Sequence, residues 1–573
     1  MADVIQATRF YIDKIVADPK IGGMKVLLLD PYTTQIVSTV YSQTDILEKE
    51  VYLVEQLGHG SADHEPMTHL KAAVFLQPTR SNLELLRREL AHPKYLEYHL
   101  FFSHIVPQDL LQQLAEADEF EVVRQVQEYY ADFVAINEDL FTINQRGSLS
   151  LGSEARSEAT QTNGAQAKLQ QNVSAILSVL LALRKKPSQI RYQGQSGLCR
   201  QVAAEVNSQI QSDGIFDFRR HEGPMLLILD RRDDPVTPLL SQWTYQAMVH
   251  ELLGLNNNRT LLKGAPGVRK DLEEVVLSPT QDEFFCRNRN SNFGDVGMAV
   301  KALVDSFQQE SKMNENISSI EDMQAFLERY PKFRAQSLNV SKHVALLSEL
   351  GRLVDVCGLM DLSQLEQDLA CNEDHANQYR ALMDKLQDMR VKVADKLRLA
   401  LLYAVRYETS GNLRSVRAAL QDSGIGPDRA TLVDTVLEYA GQNRRAGGLY
   451  GPSSFISKIG KQIQNSLVDV QNVYTQHVPL LMNTLDVALK GRLRENQFPA
   501  VGAALNTKPP DIIVFILGGV TFEEACKVAE LNAQLAGTQR VILGGSCIHN
   551  STSFLEDLTD FSHSAQGSNG STI

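Results

Sequence analysis

The chain lacks the sequence signals of several common protein classes. Its 573 residues include only six cysteines, and none of them forms a Cys-x-x-Cys pair, so zinc ribbons and thioredoxin-like redox chemistry have no support. Scattered cysteines in a large chain are typical of a reducing compartment. The net charge is −13, which argues against the basic surface that nucleic-acid-binding proteins usually present. We therefore expect no nucleic acid among the partners.

Long apolar runs are also missing. The longest, near Ile512–Val520 and Ala175–Leu183, are too short to span a bilayer. The first segment, Met1–Val16, mixes apolar residues with Arg9 and Lys14, which predicts an amphipathic helix and not a signal peptide. We expect a cytoplasmic protein that is recruited peripherally to membranes by its partners.

The signatures of common enzymes are incomplete. A phosphate-binding loop requires a glycine five positions before Gly460, and Phe455 stands there. The His-Glu pair at 250–251 begins a zinc-protease motif, but Gly254 replaces the second histidine. We therefore expect a binding protein that needs no cofactor or metal, and not an enzyme.

The stretch Met225–Gly254 has the clearest local pattern. Met225–Leu229 is an uninterrupted apolar run, which is too short for a helix and suits a strand buried on both faces of a parallel sheet. Thr237 before Pro238 predicts a helix N-cap followed by proline at the first helical position. Apolar residues then recur at three- and four-residue spacing as far as Leu252, which predicts a helix with one buried stripe.

Charged residues crowd the end of this strand, at Asp230, Arg231, Arg232, Asp233 and Asp234. Carboxylates at a strand end can bind a magnesium ion, and the arginines can add a phosphate site. The alternative is a charge network that ties the strand end to the following helix. We favour the network, because no phosphate-binding loop accompanies the cluster.

Strands alternate with helices in the first part of the chain, which predicts a parallel sheet covered on both faces. The predicted strands are Lys25–Asp30, Val51–Leu57, Ala72–Leu76, Tyr98–Phe102 and Asp132–Ile136. This domain is expected to end near Asn137. Arg146–Gln171 is rich in Ser, Gly, Thr and Gln, and is predicted to be a mobile loop.

Helical patterns dominate the middle of the chain, at Val300–Phe307, Ile320–Arg329, Val340–Val356, Tyr379–Glu408 and Leu432–Tyr439. Strands then return at Asp511–Leu517 and Gln539–Leu543, with a helix between them. Because such a βαβ unit needs a sheet to join, we expect the chain to come back to the sheet of Met225–Asp230. The helical region is then an insertion. The tail, Ser562–Ile573, is predicted to be disordered.

Four segments resemble the SM (Sec/Munc) family of SNARE-binding proteins. The first contains Leu-Asp-Arg-Arg-Asp-Asp-Pro-Val-Thr-Pro-Leu-Leu from Leu229, then Gln-Trp-Thr-Tyr-Gln-Ala-Met-Val-His-Glu-Leu-Leu from Gln242. The others are Val275–Asp295, Tyr474–Leu481 and Ile542–Leu558. The resemblance covers nearly the whole chain. The motif from Leu229 in this chain is similar to that of the endosomal and trans-Golgi branch of the family.

The resemblance implies α/β plus all-α architecture, an arch of two parallel-sheet domains with a large helical domain inserted in the second. Residues 1–137 are expected to form the N-terminal α/β domain, 138–243 and 475–573 the split second domain, and 244–474 the inserted helical domain. It also implies a monomer that chaperones a syntaxin-type (Qa) SNARE. Such a protein promotes SNARE complex assembly for vesicle fusion in transport between trans-Golgi, endosomes and vacuole. The alternative is an α/β enzyme acting on a nucleotide or phosphoester at the Asp230 cluster.

The resemblance also implies a pocket on the N-terminal domain for the extreme N-terminus of syntaxin. Leu111 and Glu128 align with the pocket wall and its polar rim. Leu110 and Leu114 add apolar surface on the same helix, and the carboxylate can pair with a basic peptide residue. The alternative is that Leu111 is an ordinary core residue.

A hairpin near residues 300–360 is implied in the helical domain, where it receives the vesicle SNARE. Pro331 and Phe333 lie in its expected turn, Tyr330–Asn339, which either switches between folded-back and extended forms or is a plain rigid turn. Thr237 and Glu251, at the start and late turn of the central helix, are expected to be structural.

Overall fold

The computed structural model describes residues 3–58, 66–149, 163–212, 214–218, 223–315, 320–449, 474–502 and 507–569. The chain divides into two compact units. Unit 1 comprises Met1–Arg231, Thr484–Val520 and Val528–Ile548, and unit 2 comprises Arg232–Asn483, Thr521–Lys527 and His549–Ile573. Unit 1 carries two large sheets, whereas unit 2 is mainly helical.

The bounds of the elements are as follows. The α-helices are α1 (Val4–Val16), α2 (Pro31–Val40), α3 (Gln43–Leu47), α4 (Arg80–Ala91), α5 (Gln108–Ala117), α6 (Asn163–Ala182), α7 (Gly197–Ser212), α8 (Tyr245–Leu252), α9 (Glu283–Asn288), α10 (Phe293–Glu315), α11 (Ile320–Val356), α12 (Leu359–Cys371), α13 (His375–Gln387), α14 (Val393–Arg406), α15 (Leu413–Asp422), α16 (Pro427–Ala430), α17 (Leu432–Ala440), α18 (Leu480–Leu489), α19 (Phe522–Gln534) and α20 (Ser551–Asn569). The strands are β1 (Lys25–Leu29), β2 (Val51–Gln56), β3 (Met67–Leu76), β4 (Tyr95–Phe102), β5 (Val123–Glu128), β6 (Val134–Asn137), β7 (Leu140–Thr142), β8 (Gln189–Tyr192), β9 (Met225–Asp230), β10 (Arg259–Leu261), β11 (Glu274–Val276), β12 (Ala500–Val501), β13 (Asp511–Leu517), β14 (Val520–Thr521), β15 (Arg540–Gly545) and β16 (Ile548–His549).

A five-stranded parallel sheet has the order β2, β1, β3, β4, β5. Its first four strands confirm the prediction from sequence, and every residue of β1 is buried. The sequence pattern misses β5, because Arg124, Gln127 and Glu128 interrupt any apolar run along this edge strand. The segment predicted as Asp132–Ile136 does form a strand, β6. However, β6 pairs with β7 in the other large sheet, so its assignment to the first sheet is wrong.

One hydrophobic core lies between this sheet and the helices α4 and α5. Apolar side chains recur at helical spacing on α4 and meet the inward side chains of β4. Burial of each such leucine stabilises the fold by about 2 kcal/mol. The core residues that these elements contribute are Leu83, Leu86, Leu90, Leu114, Tyr95, Tyr98, Leu100 and Phe102.

A seven-stranded sheet has the order β12, β8, β9, β13, β15, β7, β6. β13 lies between β9 and β15 and is parallel to both, with Ile512 opposite Met225 and Leu517 opposite Asp230. The predicted return of the chain to the sheet of Met225–Asp230 is therefore confirmed. Gly544 of β15 is required by packing, because a Cβ atom there would lie 2.0 Å from the Phe141 ring.

The long helix α11 overturns the predicted turn at Tyr330–Asn339. Its backbone is helical from Ile320 to Val356, so Pro331 lies inside a helix. A proline there costs about 3 kcal/mol. Residues 332–339 contain no other helix breaker, and the ring of Phe333 stacks on Phe307 of α10 with 5.1 Å between centroids. The helix-compatible sequence and the aromatic stacking offset the free-energy cost of the proline. The residues between α10 and α11, 316–319, lie outside the described residues.

Three other predicted boundaries are wrong. The segment Tyr379–Glu408 contains two helices, α13 and α14, separated at 388–392. The predicted loop is helical from Asn163 onward, and its residues 150–162 lie outside the described part of the chain. The predicted disordered tail is helical as far as Asn569. Among the described residues, no helix combines the length and apolarity needed to cross a bilayer.

Candidate functional site

Asp230 ends β9 and is held by hydrogen bonds within unit 1. Its carboxylate accepts a hydrogen bond from the Ser196 hydroxyl at 2.7 Å, and its N–H donates to Oε1 of Gln193 at 3.0 Å. The next residue, Arg231, is 2% exposed. A buried strand end of this kind is fixed in place by neighbouring polar groups.

Asp233 and Asp234 accept hydrogen bonds from groups in unit 2. Asp233 accepts from the N–H of Ala446 at 3.0 Å. Asp234 accepts from the N–H and hydroxyl of Thr237, at 3.0 and 2.6 Å, and from the N–H of Leu480 at 3.1 Å. These partners are backbone and hydroxyl donors on separate segments, a pattern that favours the structural network over a magnesium or phosphate site.

Thr237 is buried but is not the helix N-cap that the sequence predicts. A short 3₁₀ turn occupies Thr237–Leu239, and α8 begins only at Tyr245. The side chain of Thr237 instead links Asp234 to Nε2 of His477, which lies 3.0 Å from the Thr237 hydroxyl. Burial lowers the pKa of His477, against the opposing charge of Asp234. Thr237 therefore joins segments that lie far apart in the sequence.

Glu251, in the last turn of α8, accepts hydrogen bonds from the N–H of Ser551 at 3.0 Å and from its hydroxyl. Ser551 is the first residue of α20, and both belong to unit 2. Burial raises the pKa of Glu251. Glu251 therefore links the end of α8 to the start of α20.

Sequence reasoning missed a buried ion pair nearby. Glu366 of α12 is 0% exposed and lies 2.8 Å from Nη2 of Arg398 on α14. The Glu366 carboxylate also accepts from the N–H and hydroxyl of Ser241, at 2.6 and 3.1 Å. Burial raises the pKa of Glu366 although the arginine opposes it. No spacing signal connects residues 241, 366 and 398, so periodicity alone cannot reveal the pair.

Leu111 lies on α5, in unit 1. Residues of the other side of α5, Leu110 and Gln113, line a cleft of about 480 Å³ against α4. Asp118, at the end of the helix and two turns beyond Leu111, accepts the N–H groups of Val122 and Val123 at the start of β5. Asp118 therefore ties the end of α5 to the start of β5.

Three large apolar side chains are exposed around this position. Leu111 is 37% exposed, Val126 of β5 is 42% exposed and Ile105, just before α5, is 40% exposed. Val126 and Glu128 pair with Leu100 and Phe102 of β4, so their side chains emerge on the sheet face that α5 covers. We call Leu111, Ile105, Val126 and Glu128 the α5–β5 surface.

The four predicted peptide-binding residues therefore differ in their placement. Glu128 is exposed, and its carboxylate accepts the N–H of Val106 at 2.7 Å, which fixes the loop before α5. Leu110 is partly buried against the core. Leu114 is 4% exposed and packs in that core, so its side chain is not available at the surface. Leu111 is not an ordinary core residue.

The hairpin helices α10 and α11 border a cavity of about 1040 Å³ in unit 2. Its floor and walls also include α9 and β11. The residues that line it from the hairpin are Ala299, Ala302, Leu303, Ala335, Gln336, Leu338, Asn339 and Lys342. Small side chains on both helices leave the cavity open, and Leu338 is 40% exposed.

A buried polar cluster lies at the base of this cavity. Asp282 caps α9, accepting the N–H of Phe285 at 2.9 Å, and also contacts Lys342 and His343 of α11. His343 Nδ1 lies 2.8 Å from the hydroxyl of Tyr245 on α8. Burial disfavours ionisation of Asp282, but His343 and Lys342 outweigh it and hold the pKa of Asp282 below its usual range. The cluster connects three helices.

Comparison with known proteins identifies one family. The model of the Sec1 family matches residues 25–557. The chain is 44% identical over 559 residues to vacuolar protein sorting-associated protein 45 of Dictyostelium discoideum, covering 97% of this chain and 96% of the relative. It is similar to a solved structure of the SM protein Vps45 in complex with the Qa SNARE Tlg2 (1–310). That match has a TM-score of 0.88 and 42% identity and covers 99% of each chain.

A more distant structure shares the fold alone. Sly1p in complex with an N-terminal peptide of Sed5p matches with a TM-score of 0.76 and 18% identity, over 98% of this chain and 99% of that one. The fold class predicted from sequence, parallel-sheet α/β domains combined with a large helical part, is confirmed by these structures and by the two sheets described above.

Proposed function

The chain belongs to the Sec1 family, and from this premise we propose that it binds a syntaxin-type (Qa) SNARE and promotes SNARE complex assembly for vesicle fusion. The observation that carries the proposal is the likeness to Vps45 solved in complex with a Qa SNARE, at 42% identity over 99% of the chain. The transport route proposed is that between trans-Golgi, endosomes and vacuole. The protein acts in the cytoplasm and reaches these membranes through its SNARE partners.

The N-terminal α/β region, residues 1–137, is proposed to bind the N-terminal peptide of the SNARE. The α5–β5 surface supports this role, because it places exposed apolar side chains next to a carboxylate. An apolar peptide residue would pack on Leu111 and Val126, and a basic one would pair with Glu128.

A pair of leucines tests this assignment. Leu111→Arg should abolish binding of the SNARE N-terminal peptide, measured by fluorescence anisotropy, and leave the melting temperature nearly unchanged. Leu114→Arg is the matched control, because it introduces the same side chain one turn away into the core and should lower the melting temperature sharply. A comparable loss of stability in both variants would contradict a surface role for Leu111.

The inserted helical region, residues 244–474, is proposed to receive the vesicle SNARE and guide it onto the Qa SNARE. The cavity along α10 and α11 supports this role, since small side chains on both helices leave room for an apolar helix face. Phe333 positions α11 through its stacking on Phe307, and Pro331 lies two residues earlier in the same helix. Residues 138–243 and 475–573 are proposed as the split second domain.

The enzyme alternative at the Asp230 cluster finds no support in these comparisons. It predicts a magnesium-dependent rise in melting temperature with nucleotide. A SNARE-binding protein should respond to the SNARE peptide only. The two thermal-shift experiments use the same protein and separate the alternatives directly.

A further inference from the structure

Two cationic side chains lie over the ring of Phe10, which is on α1. The Lys14 Nζ atom is 4.5 Å from the ring centroid, and the guanidinium carbon of Arg184 is 5.8 Å from it. Arg184 follows α6, so the contact joins two elements that are distant in the sequence. The Phe10 side chain nevertheless remains 46% exposed. The ring is positioned by cation–π contacts without being covered.

Helical spacing places this ring on a ridge. Gln6, Phe10 and Lys14 succeed one another at intervals of four residues, and all three are exposed. The opposite side of α1 is buried, through Val4, Ile5, Ile12, Ile15 and Val16. The exposed side of α1 therefore faces solvent. Arg184, in the turn after α6, reaches it through the Phe10 ring, and the exposed Lys186 follows two residues later.

The positive charges on this ridge are not neutralised locally. Within the described chain, Lys14, Arg184 and Lys186 have no carboxylate at ion-pairing distance, whereas Lys185 between them pairs with Asp511. The whole chain carries a net charge of −13, so these cations lie on a chain that is negative overall. Such a cluster attracts an anionic partner over distances up to about 8 Å at physiological salt.

We propose that Phe10, Lys14, Arg184 and Lys186, the Phe10 patch, bind the surface of an anionic phospholipid bilayer. Lysine and arginine next to an exposed aromatic ring match a bilayer interface, where the cations meet headgroup phosphates and the ring enters the boundary with the acyl chains.

The patch gives the chain a membrane contact of its own, in addition to contact through SNAREs. Three cations and one ring give weak and reversible attachment, because stable anchoring requires a second signal. Bound SNARE would supply that second signal, and the two contacts together would bind more tightly than either alone. The inference does not depend on the proposed SNARE function, since lipid binding can be measured without any SNARE.

Vesicle co-sedimentation of the full chain tests the patch. The protein should bind vesicles that contain about one-third phosphatidylserine in phosphatidylcholine and bind poorly to phosphatidylcholine alone. The double variant Lys14→Gln with Arg184→Gln should weaken partitioning about 25-fold, at about fivefold for each cation lost. Arg80→Gln with Arg88→Gln is the matched control, because it removes two exposed cations from α4 and should leave binding nearly unchanged.

The ring is tested by spectroscopy. The parent chain has one tryptophan, Trp243, which is 7% exposed and gives a stable background signal. In Phe10→Trp, the added emission should shift to shorter wavelength with anionic vesicles and stay unchanged with neutral ones. Phe10→Ser should weaken vesicle binding although all three cations remain.

Two results would overturn the proposal. One is equal vesicle binding by the Lys14/Arg184 variant and the parent. The other is unchanged vesicle binding combined with lost affinity for soluble SNARE, which would assign the patch to an acidic peptide segment. A circular dichroism spectrum equal to that of the parent checks that each variant is folded.

Discussion

Nε2 of His343 lies 2.9 Å from Oδ2 of Asp282, and both side chains are buried. The contact fixes α11 to the start of α9, and the Tyr245 hydroxyl on Nδ1 fixes α11 to α8. A buried polar cluster whose members all have partners holds one geometry. The base of the hairpin is therefore rigid, whereas its distal part extends from this point.

The first prediction concerns this cluster. His343→Ala should lower the free energy of unfolding by about 2–4 kcal/mol, because the carboxylate of Asp282 loses a buried partner. Tyr245→Phe is the milder control, since it removes one hydrogen bond, and should cost about 1 kcal/mol. Denaturant unfolding with hydrogen exchange across 340–356 measures both. Equal effects would show that the carboxylate contact is unimportant.

The second prediction concerns Glu366 and Arg398. Arg398→Met should destabilise the chain by about 3–5 kcal/mol, because Glu366 remains buried without its cation. Replacing both residues with apolar ones should recover much of this loss. Lys385→Met removes an ion pair with the exposed Asp361 and should cost less than about 1 kcal/mol. If the double variant is no better than Arg398→Met, the pair is not the source of the effect.

The third prediction concerns Glu251 and Thr237. Glu251→Lys places a cation against the Ser551 N–H at the start of α20, and Thr237→Asn enlarges a side chain that is 0% exposed. Both should lower cellular abundance more than SNARE affinity, by a stability loss of about 2–4 kcal/mol. Glu251→Gln retains a hydrogen-bond acceptor and serves as the control. Normal abundance with selective loss of SNARE binding would reverse the assignment from structural to partner-binding.

The fourth prediction concerns pH. Asp132 is 4% exposed, and burial raises its pKa from 3.8 to about 7, against hydrogen bonds from Gln77 and Ser103. A carboxyl group with a raised folded-state pKa contributes stability below its unfolded pKa and loses it as the pH rises through the folded value. Asp132→Asn should therefore flatten the fall in stability between about pH 4 and pH 7, with a gain of up to about 4 kcal/mol at neutral pH.

Urea midpoints of Asp132→Asn and the parent across this range measure that effect. The parent should become less stable from the acidic to the neutral end, after correction for any change shared by both proteins. Parallel curves would mean that Asp132 ionises normally in the fold.

The fifth prediction concerns the distal hairpin. Pro331→Ala should stabilise α11 by up to about 3 kcal/mol, slow hydrogen exchange across 332–339 and speed SNARE assembly. Phe333→Ala removes the stacking on Phe307 and should have the opposite effect on both measurements, since such a pair adds about 1 kcal/mol beyond its buried area. If the variants change hydrogen exchange but not the rate of SNARE assembly, the hairpin does not template the assembly.

Much of this fold is predictable because its strands are apolar runs of the right length. β1 and β9 are buried at every residue, and burial on both faces leaves a clear signal in the sequence. β5 gives no such signal, since it is an edge strand with alternate polar residues. Pro331 led to a wrong prediction of a turn, because the packing of α11 against α10 offsets the free-energy cost of a proline inside the helix.

The candidate site is less predictable, because the exposure and contacts of its residues depend on the tertiary structure. Leu111 and Leu114 look alike in the sequence, and only the position of the sheet decides which of them is exposed. Thr237 before Pro238 has the form of an N-cap, yet Asp234 and His477 engage its hydroxyl. Contacts between residues more than a hundred positions apart, such as Ser241 with Glu366, carry no periodic signature at all.

The central pairing of β9 with β13 has a consequence for biosynthesis. Met225 is opposite Ile512, so 287 residues (512 minus 225) separate the two partners. At about 5–20 residues per second, the ribosome delivers β13 roughly 15–60 s after β9, and throughout that time the β13 side of β9 has no partner strand. The five-stranded sheet needs nothing beyond Glu128 to complete its strand order. A nascent chain therefore acquires the α5–β5 surface early. Because β9 has an exposed edge until β13 is made, we expect chaperones to be needed most while the seven-stranded sheet forms.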